Sequence, residues 1–152
     1  MNLSRLGRGE LLAVLGGLLL ALGVFLPWYE TNPDNRNASV GGATGAFSAW
    51  DALPILRWLL LAAAVAPLIL AWIILRDHEL SWPRGEMTAV VGMIALVLVL
   101  YVGLVDRPGE PSGQISLRYG WFVSLLGIVG IILGGAIRAS GTARPRKPPG
   151  VL

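Results

Sequence analysis

Apolar residues fall in four long blocks, with polar residues gathered between them. The blocks are residues 10–28, 53–75, 86–105 and 119–138. A helix needs about 20 mostly apolar residues to cross a hydrocarbon core of ~30 Å, and each block meets that length. Backbone polar groups in lipid must be satisfied within the segment, so the pattern predicts four transmembrane helices. The alternating segments of ~10 residues that mark a membrane β-barrel do not occur. The expected fold is all-α: a polytopic membrane protein with four helices in an up-down-up-down bundle. Residues 1–138 form its single domain, and 139–152 form a disordered tail.

The connections divide by charge. The N-terminus, the second loop and the C-terminus hold Arg5, Arg8, Arg76, Arg84, Arg138, Arg144, Arg146 and Lys147. The opposite side, with the first and third loops and the adjoining span ends, holds only Arg36, Arg57, Arg107 and Arg118. Lys and Arg in short loops stay on the cytoplasmic side, so both termini are expected there. With the acids included, the inner side carries a net +4 and the outer side −1, which accounts for the +3 of the chain. The basic excess is thus a matter of sidedness, and nucleic acid is not an expected partner. Arg5, Arg8 and the small residues Ala21 and Gly23 resemble a signal peptide. Cleavage there would cut inside the apolar run, so the first helix is expected to be retained.

Composition agrees. Hydrophobic residues make up 55% of the 152 and charged residues 14%, against roughly 25% charged in soluble domains. There are no cysteines, which excludes a disulfide scaffold. Trp28, Tyr29, Trp50, Trp58, Tyr101, Tyr119 and Trp121 all fall near the outer boundary of the spans, where aromatic rings anchor at the headgroups.

Small residues mark where helices can approach. Gly17 in the first helix and Gly127, Gly130 and Gly134 in the fourth are the expected packing positions, with Gly130 and Gly134 forming a GxxxG match. Packing within one bundle is favoured over a homodimer interface. Pro67 is expected to kink the second helix.

The first outer loop, 29–52, is the longest connection. Its first half is polar and turn-forming, and its Gly41–Gly45 stretch reads as flexible. Ser48 and Asp51 have capping-box spacing, so the second helix can begin outside the membrane, with Pro54 bending its start. Asp51, Arg57, Asp106 and Arg118 gather at the outer ends of the helices and are expected to form ion pairs there. Arg144, Arg146 and Lys147 in the Pro-rich tail are expected to contact anionic lipid headgroups.

Ionisable residues inside a span are functional candidates by default, yet every charge lies at or near an end. That disfavours a proton-coupled carrier with a buried carboxylate. His78 is the only histidine, and its Asp77–Glu79 setting reads as a solvated turn. Neither a Gly-x-Ser-x-Gly elbow nor a phosphate loop occurs, so no enzyme, cofactor or metal is expected.

Three local patterns carry a resemblance: Leu26-Pro27-Trp28-Tyr29 closing the first helix, Ser48-Ala49-Trp50 closing the outer loop, and Tyr119-Gly120-Trp121 opening a helix that ends with Gly134-Gly135. In this layout the chain resembles small four-helix integral membrane proteins of actinobacteria and related high-GC bacteria. The resemblance implies a multi-pass protein of the cell membrane and no activity, so no residue role is carried over from it. The expected function is a non-enzymatic accessory or scaffold subunit of a membrane complex. The alternatives are a small homo-oligomeric channel or carrier with Gly-rich faces lining its path, and a sensor whose outer loop binds a ligand. The expected partners are anionic lipid and either another membrane protein or further copies of the chain.

Overall fold

The computed structural model describes residues 6–76 and 84–141. Arg144, Arg146 and Lys147, with the tail they belong to, lie outside the described residues, as does His78. The described chain is mostly helical. Four helices are long and apolar enough to cross a membrane: α1 (Arg8–Phe25), α3 (Leu56–Leu75), α4 (Arg84–Leu100) with a π-helical turn, Tyr101–Val105, at its end, and α5 (Tyr119–Gly141). A one-turn helix, α2 (Ala49–Ala52), precedes α3. Three strands lie between the helices: β1 (Pro27–Thr31), β2 (Ala46–Ser48) and β3 (Ile115–Leu117).

Each helix of the bundle touches two others. α1 packs on α5 and α3, and α4 packs on α5 and α3. The α1–α5 contact is the most extensive. Along it Gly9 lies beside Gly134, Gly16 beside Gly127, and Gly23 beside Ser124, so residue numbers rise on one helix as they fall on the other. Large side chains on the outer faces, such as Leu15, Leu18, Ile69, Val97, Leu126 and Leu133, are about half exposed or more. These faces suit hydrocarbon, which needs no partner chain to cover them.

The sheet was not foreseen in the hydropathy pattern. It is antiparallel with order β2-β1-β3, and it closes one end of the bundle. Local sequence starts it. Pro27 disfavours helical backbone at Leu26, which is extended at φ −82°, ψ 155°, and α1 stops there. The chain then runs on as β1, with Tyr29 opposite Phe47 on one side and Leu117 on the other. Trp28, Tyr29 and Ile115 are fully or almost fully buried in the core that continues down through Val24, Leu20, Ile128 and Ile131. Residues 29–52 are therefore not a slack loop. They hold two strands' worth of pairing, a bridge between Ser39 and Glu110, and a tight reversal at Val40–Ala43. Gly41 and Gly42 make that reversal at φ 59° and 84°, where a side chain would be strained.

α2 is set by the Ser48–Asp51 capping box. The Ser48 hydroxyl accepts from the Asp51 N–H at 3.2 Å, and the Asp51 carboxylate accepts from the Ser48 N–H at 3.3 Å. The helix breaks at Leu53, just before Pro54, and resumes as α3.

Candidate functional site: the sheet end of the bundle

The four predicted packing glycines all sit at helix crossings. A Cβ on Gly17 would stand 2.4 Å from the Ala64 carbonyl of α3, and one on Gly127 would stand 2.5 Å from the Leu20 nitrogen of α1. On Gly134 it would meet the Gly9 carbonyl at 2.5 Å, and on Gly130 the Gly16 Cα at 3.0 Å. Backbone, not flexible side chain, fills the space beside each of them.

The four residues expected to pair across the outer mouth do not pair with one another. Arg118 pairs instead with Glu30, a β1 residue, at 3.1 Å. Arg57 donates from Nη1 to the Trp50 carbonyl at 2.8 Å and lies over the Trp50 ring at 4.6 Å and the Trp58 ring at 5.7 Å. Asp51 serves the Ser48 cap. Asp106 is exposed at the end of the π-helical turn, where its N–H donates to the Tyr101 carbonyl. The physical reason is the sheet. It brings Glu30 to Arg118 and sets α2 under Arg57, giving each cation an acceptor or a π-face of its own.

Three of the aromatics read as interface anchors have interior roles. The Trp28 indole is fully buried and donates to the Gly23 carbonyl at 2.7 Å. The Trp121 indole donates to the Val99 carbonyl at 3.0 Å and fills the space beside Gly103. The Tyr29 hydroxyl donates to the Val102 carbonyl at 3.0 Å. Burial pushes the Tyr29 phenol well above its ordinary pKa, with Asp106 adding to the rise and Arg107 opposing it. Trp58, Tyr101 and Tyr119 remain exposed, as anchors would be.

At the opposite end, an ion pair was missed at the sequence level. Glu10 of α1 and Arg138 of α5 pair directly, with side chains only 14% and 16% exposed. These exposures place both groups between the helices. Their separation along the chain hides the pair from any local pattern.

A polar surface lies at the sheet end. Residues Glu30 to Pro33 form a ridge with an open groove on either side. One groove, of about 360 Å³, is bounded by Arg107, Gln114 and Ser116. The other, of about 410 Å³, is bounded by Asn35, Arg36 and Thr44. Internal hydrogen bonds hold the ridge: Asn32 Nδ2 donates to Gln114 Oε1 at 2.6 Å, and the Gly45 N–H donates to Thr31 Oγ1 at 2.7 Å. Arg107 is fixed by two backbone acceptors, the Gly103 carbonyl at 2.7 Å and the Ile115 carbonyl at 2.9 Å. Among the described residues, no three of His, Cys, Asp and Glu come together as metal ligands would. No protein-family model, curated protein or solved structure matches the chain.

Proposed function

We propose that this chain is a non-enzymatic multi-pass protein of the cytoplasmic membrane that serves as an accessory or scaffold subunit of a larger membrane complex. In this reading it spans the bilayer up-down-up-down with both termini in the cytoplasm. The basic residues of the termini and second loop support that orientation. The observation that carries the reading is the sheet end. The chain uses Trp28, Tyr29 and Ile115 as buried anchors to hold a polar surface fixed above the bundle. A fixed surface binds with less ordering cost than a slack loop, which favours docking.

The channel or carrier reading has weaker support. It would have the Gly-rich faces line a path, yet Gly16, Gly127 and Gly134 lie against neighbouring backbone. Photo-crosslinking amino acids at Asn37 and Ala43, both exposed, test the proposal in native membranes. The expected result is a recurrent adduct with one larger membrane protein, identified by mass spectrometry. Adducts only between copies of the chain, together with solute flux through liposomes made with the pure protein, would overturn it.

A further inference from the structure

The two grooves beside the ridge share an imbalance in hydrogen-bonding groups. Most of the side-chain acceptors that line them are already in use. Asn32 Oδ1 accepts from the Asp34 N–H, Asn35 Oδ1 from the Asn37 N–H, Gln114 Oε1 from Asn32, and Thr31 Oγ1 from Gly45. The Glu30 carboxylate is matched by Arg118. Asn32 Nδ2 and Ser116 Oγ donate, to Gln114 Oε1 and the Glu30 carbonyl, but several stronger donors are free. Among the described residues the Arg36 guanidinium meets no acceptor, and neither does the amide nitrogen of Asn35 or of Gln114. Arg107 spends two of its five N–H groups on backbone carbonyls and keeps three. No acid besides Glu30 lines either groove.

A surface with spare donors, two guanidinium groups of which Arg107 is fixed, and mostly satisfied acceptors is complementary to an acceptor-only, negatively charged group. We propose that these grooves bind an oxyanion, a phosphoryl or carboxylate group carried by a polar ligand. Arg36 and Asn35 are its donors on one side of the ridge, and Arg107 and Gln114 on the other. Guanidinium groups suit this role because their planar fork meets two oxygens at once. Each groove has the volume of a small-molecule site. Arg107 is pre-set by its two carbonyl contacts, so it loses little freedom on binding. The inference rests on the groove chemistry alone and is independent of the accessory-subunit reading.

Two sources of the anion share this chemistry, a dissolved ligand and a lipid headgroup. The full chain in neutral detergent is titrated calorimetrically with sodium phosphate and with sodium citrate, each against sodium chloride at matched ionic strength. Saturable binding of one oxyanion, without binding of chloride, is expected. Arg36→Gln and Gln114→Glu each weaken it roughly tenfold or more, as loss of a charge-assisted bond or introduction of a like charge requires. Arg36 is exposed, and Gln114→Glu keeps the side-chain oxygen that accepts from Asn32, so the melting temperatures without ligand stay within about a degree or two of the parent chain. The titration is repeated in nanodiscs of phosphatidylcholine with and without phosphatidylglycerol. Competition by phosphatidylglycerol assigns the site to a headgroup, and its absence assigns it to a soluble ligand. Failure of both phosphate and citrate to bind in detergent, or equal binding by the two variants and the parent chain, overturns the site.

Discussion

Tyr29 shows how a single residue can look like one thing along the chain and act as another. Its place at the end of an apolar run is that of a headgroup anchor, yet its ring is fully buried and its hydroxyl donates to the Val102 carbonyl. Burial makes the phenolate costly, so the folded chain holds the Tyr29 proton more tightly than the unfolded chain does. An unfolded tyrosine ionises near pH ~10. Above that pH the unfolded state releases a proton that the folded state keeps. Stability therefore falls as pH rises past ~10, and this group contributes no slope below it. Tyr29→Phe removes the hydrogen bond, at a cost of about 1 kcal/mol at neutral pH, and leaves the Val102 carbonyl short of a donor. It also removes this part of the alkaline loss. Melting temperatures in detergent between about pH 8 and about pH 11 should fall less steeply for Tyr29→Phe than for the parent chain. Equal slopes would mean that the phenol is not the group responsible.

Among the elements, the helices were legible and the strands were not. The four spans read from hydropathy, 10–28, 53–75, 86–105 and 119–138, overlap α1, α3, α4 with its π-helical turn, and α5. A run of about 20 apolar residues is a strong local signal. β2 and β3 have three residues each, too short to show alternation, and β1 pairs with β3 across more than eighty residues of chain. Trp28 is absorbed into the first span because its ring is apolar, and Tyr29 reads as a headgroup anchor at the edge of that span. The same limit hid the Glu10–Arg138 pair and the Arg118–Glu30 pair, since hydropathy says nothing about which distant ends meet. The glycines stood between these cases. Gly17, Gly127, Gly130 and Gly134 stand out in the sequence, but their partners do not. The structure shows Gly9, Gly16 and Gly23 on α1, and Gly127 and Gly134 on α5, spaced by seven residues along the α1–α5 seam, with Gly120 a further seven residues back against Leu26 and Pro27 just past the end of α1. A seven-residue step returns to the same helix face after about two turns, so the close approach can repeat along the seam. Gly16 tests this directly. A Cβ there would stand 2.5 Å from the Gly127 carbonyl and 2.6 Å from the Ile131 nitrogen, and backbone cannot move aside as a side chain can. Gly16→Val should cost about 1–3 kcal/mol or more by forcing the helices apart. Gly113→Ala is the control, because a Cβ there meets nothing within 4 Å. A thermal melt in detergent that lowers Gly16→Val and Gly113→Ala equally would remove the seam as the reason for these glycines.

For the whole molecule, the decisive quantity is which end of the bundle faces which side of the membrane. Two features act on that choice. Among the described residues Arg8, Arg76, Arg84 and Arg138 lie at the helix ends away from the sheet, and Lys and Arg near span ends are retained in the cytoplasm. The sheet end carries the two grooves and fewer basic residues, Arg36, Arg57, Arg107 and Arg118, so its transfer across the bilayer meets less opposition. If the sheet end is outside, a ligand or partner reaches the grooves without crossing the membrane. If it is inside, the same surface meets cytoplasmic solutes. The chain has no cysteine, so single cysteines report on sidedness against a silent background. Asn37 lies exposed beyond the sheet, and Ser140 lies in the last turn of α5 at the other end. In intact cells a membrane-impermeant maleimide should label Asn37→Cys at once and Ser140→Cys only after the membrane is opened. The reverse order would invert the orientation. Equal labelling of both before lysis would mean that α5 does not cross the bilayer, which would remove the four-span arrangement itself.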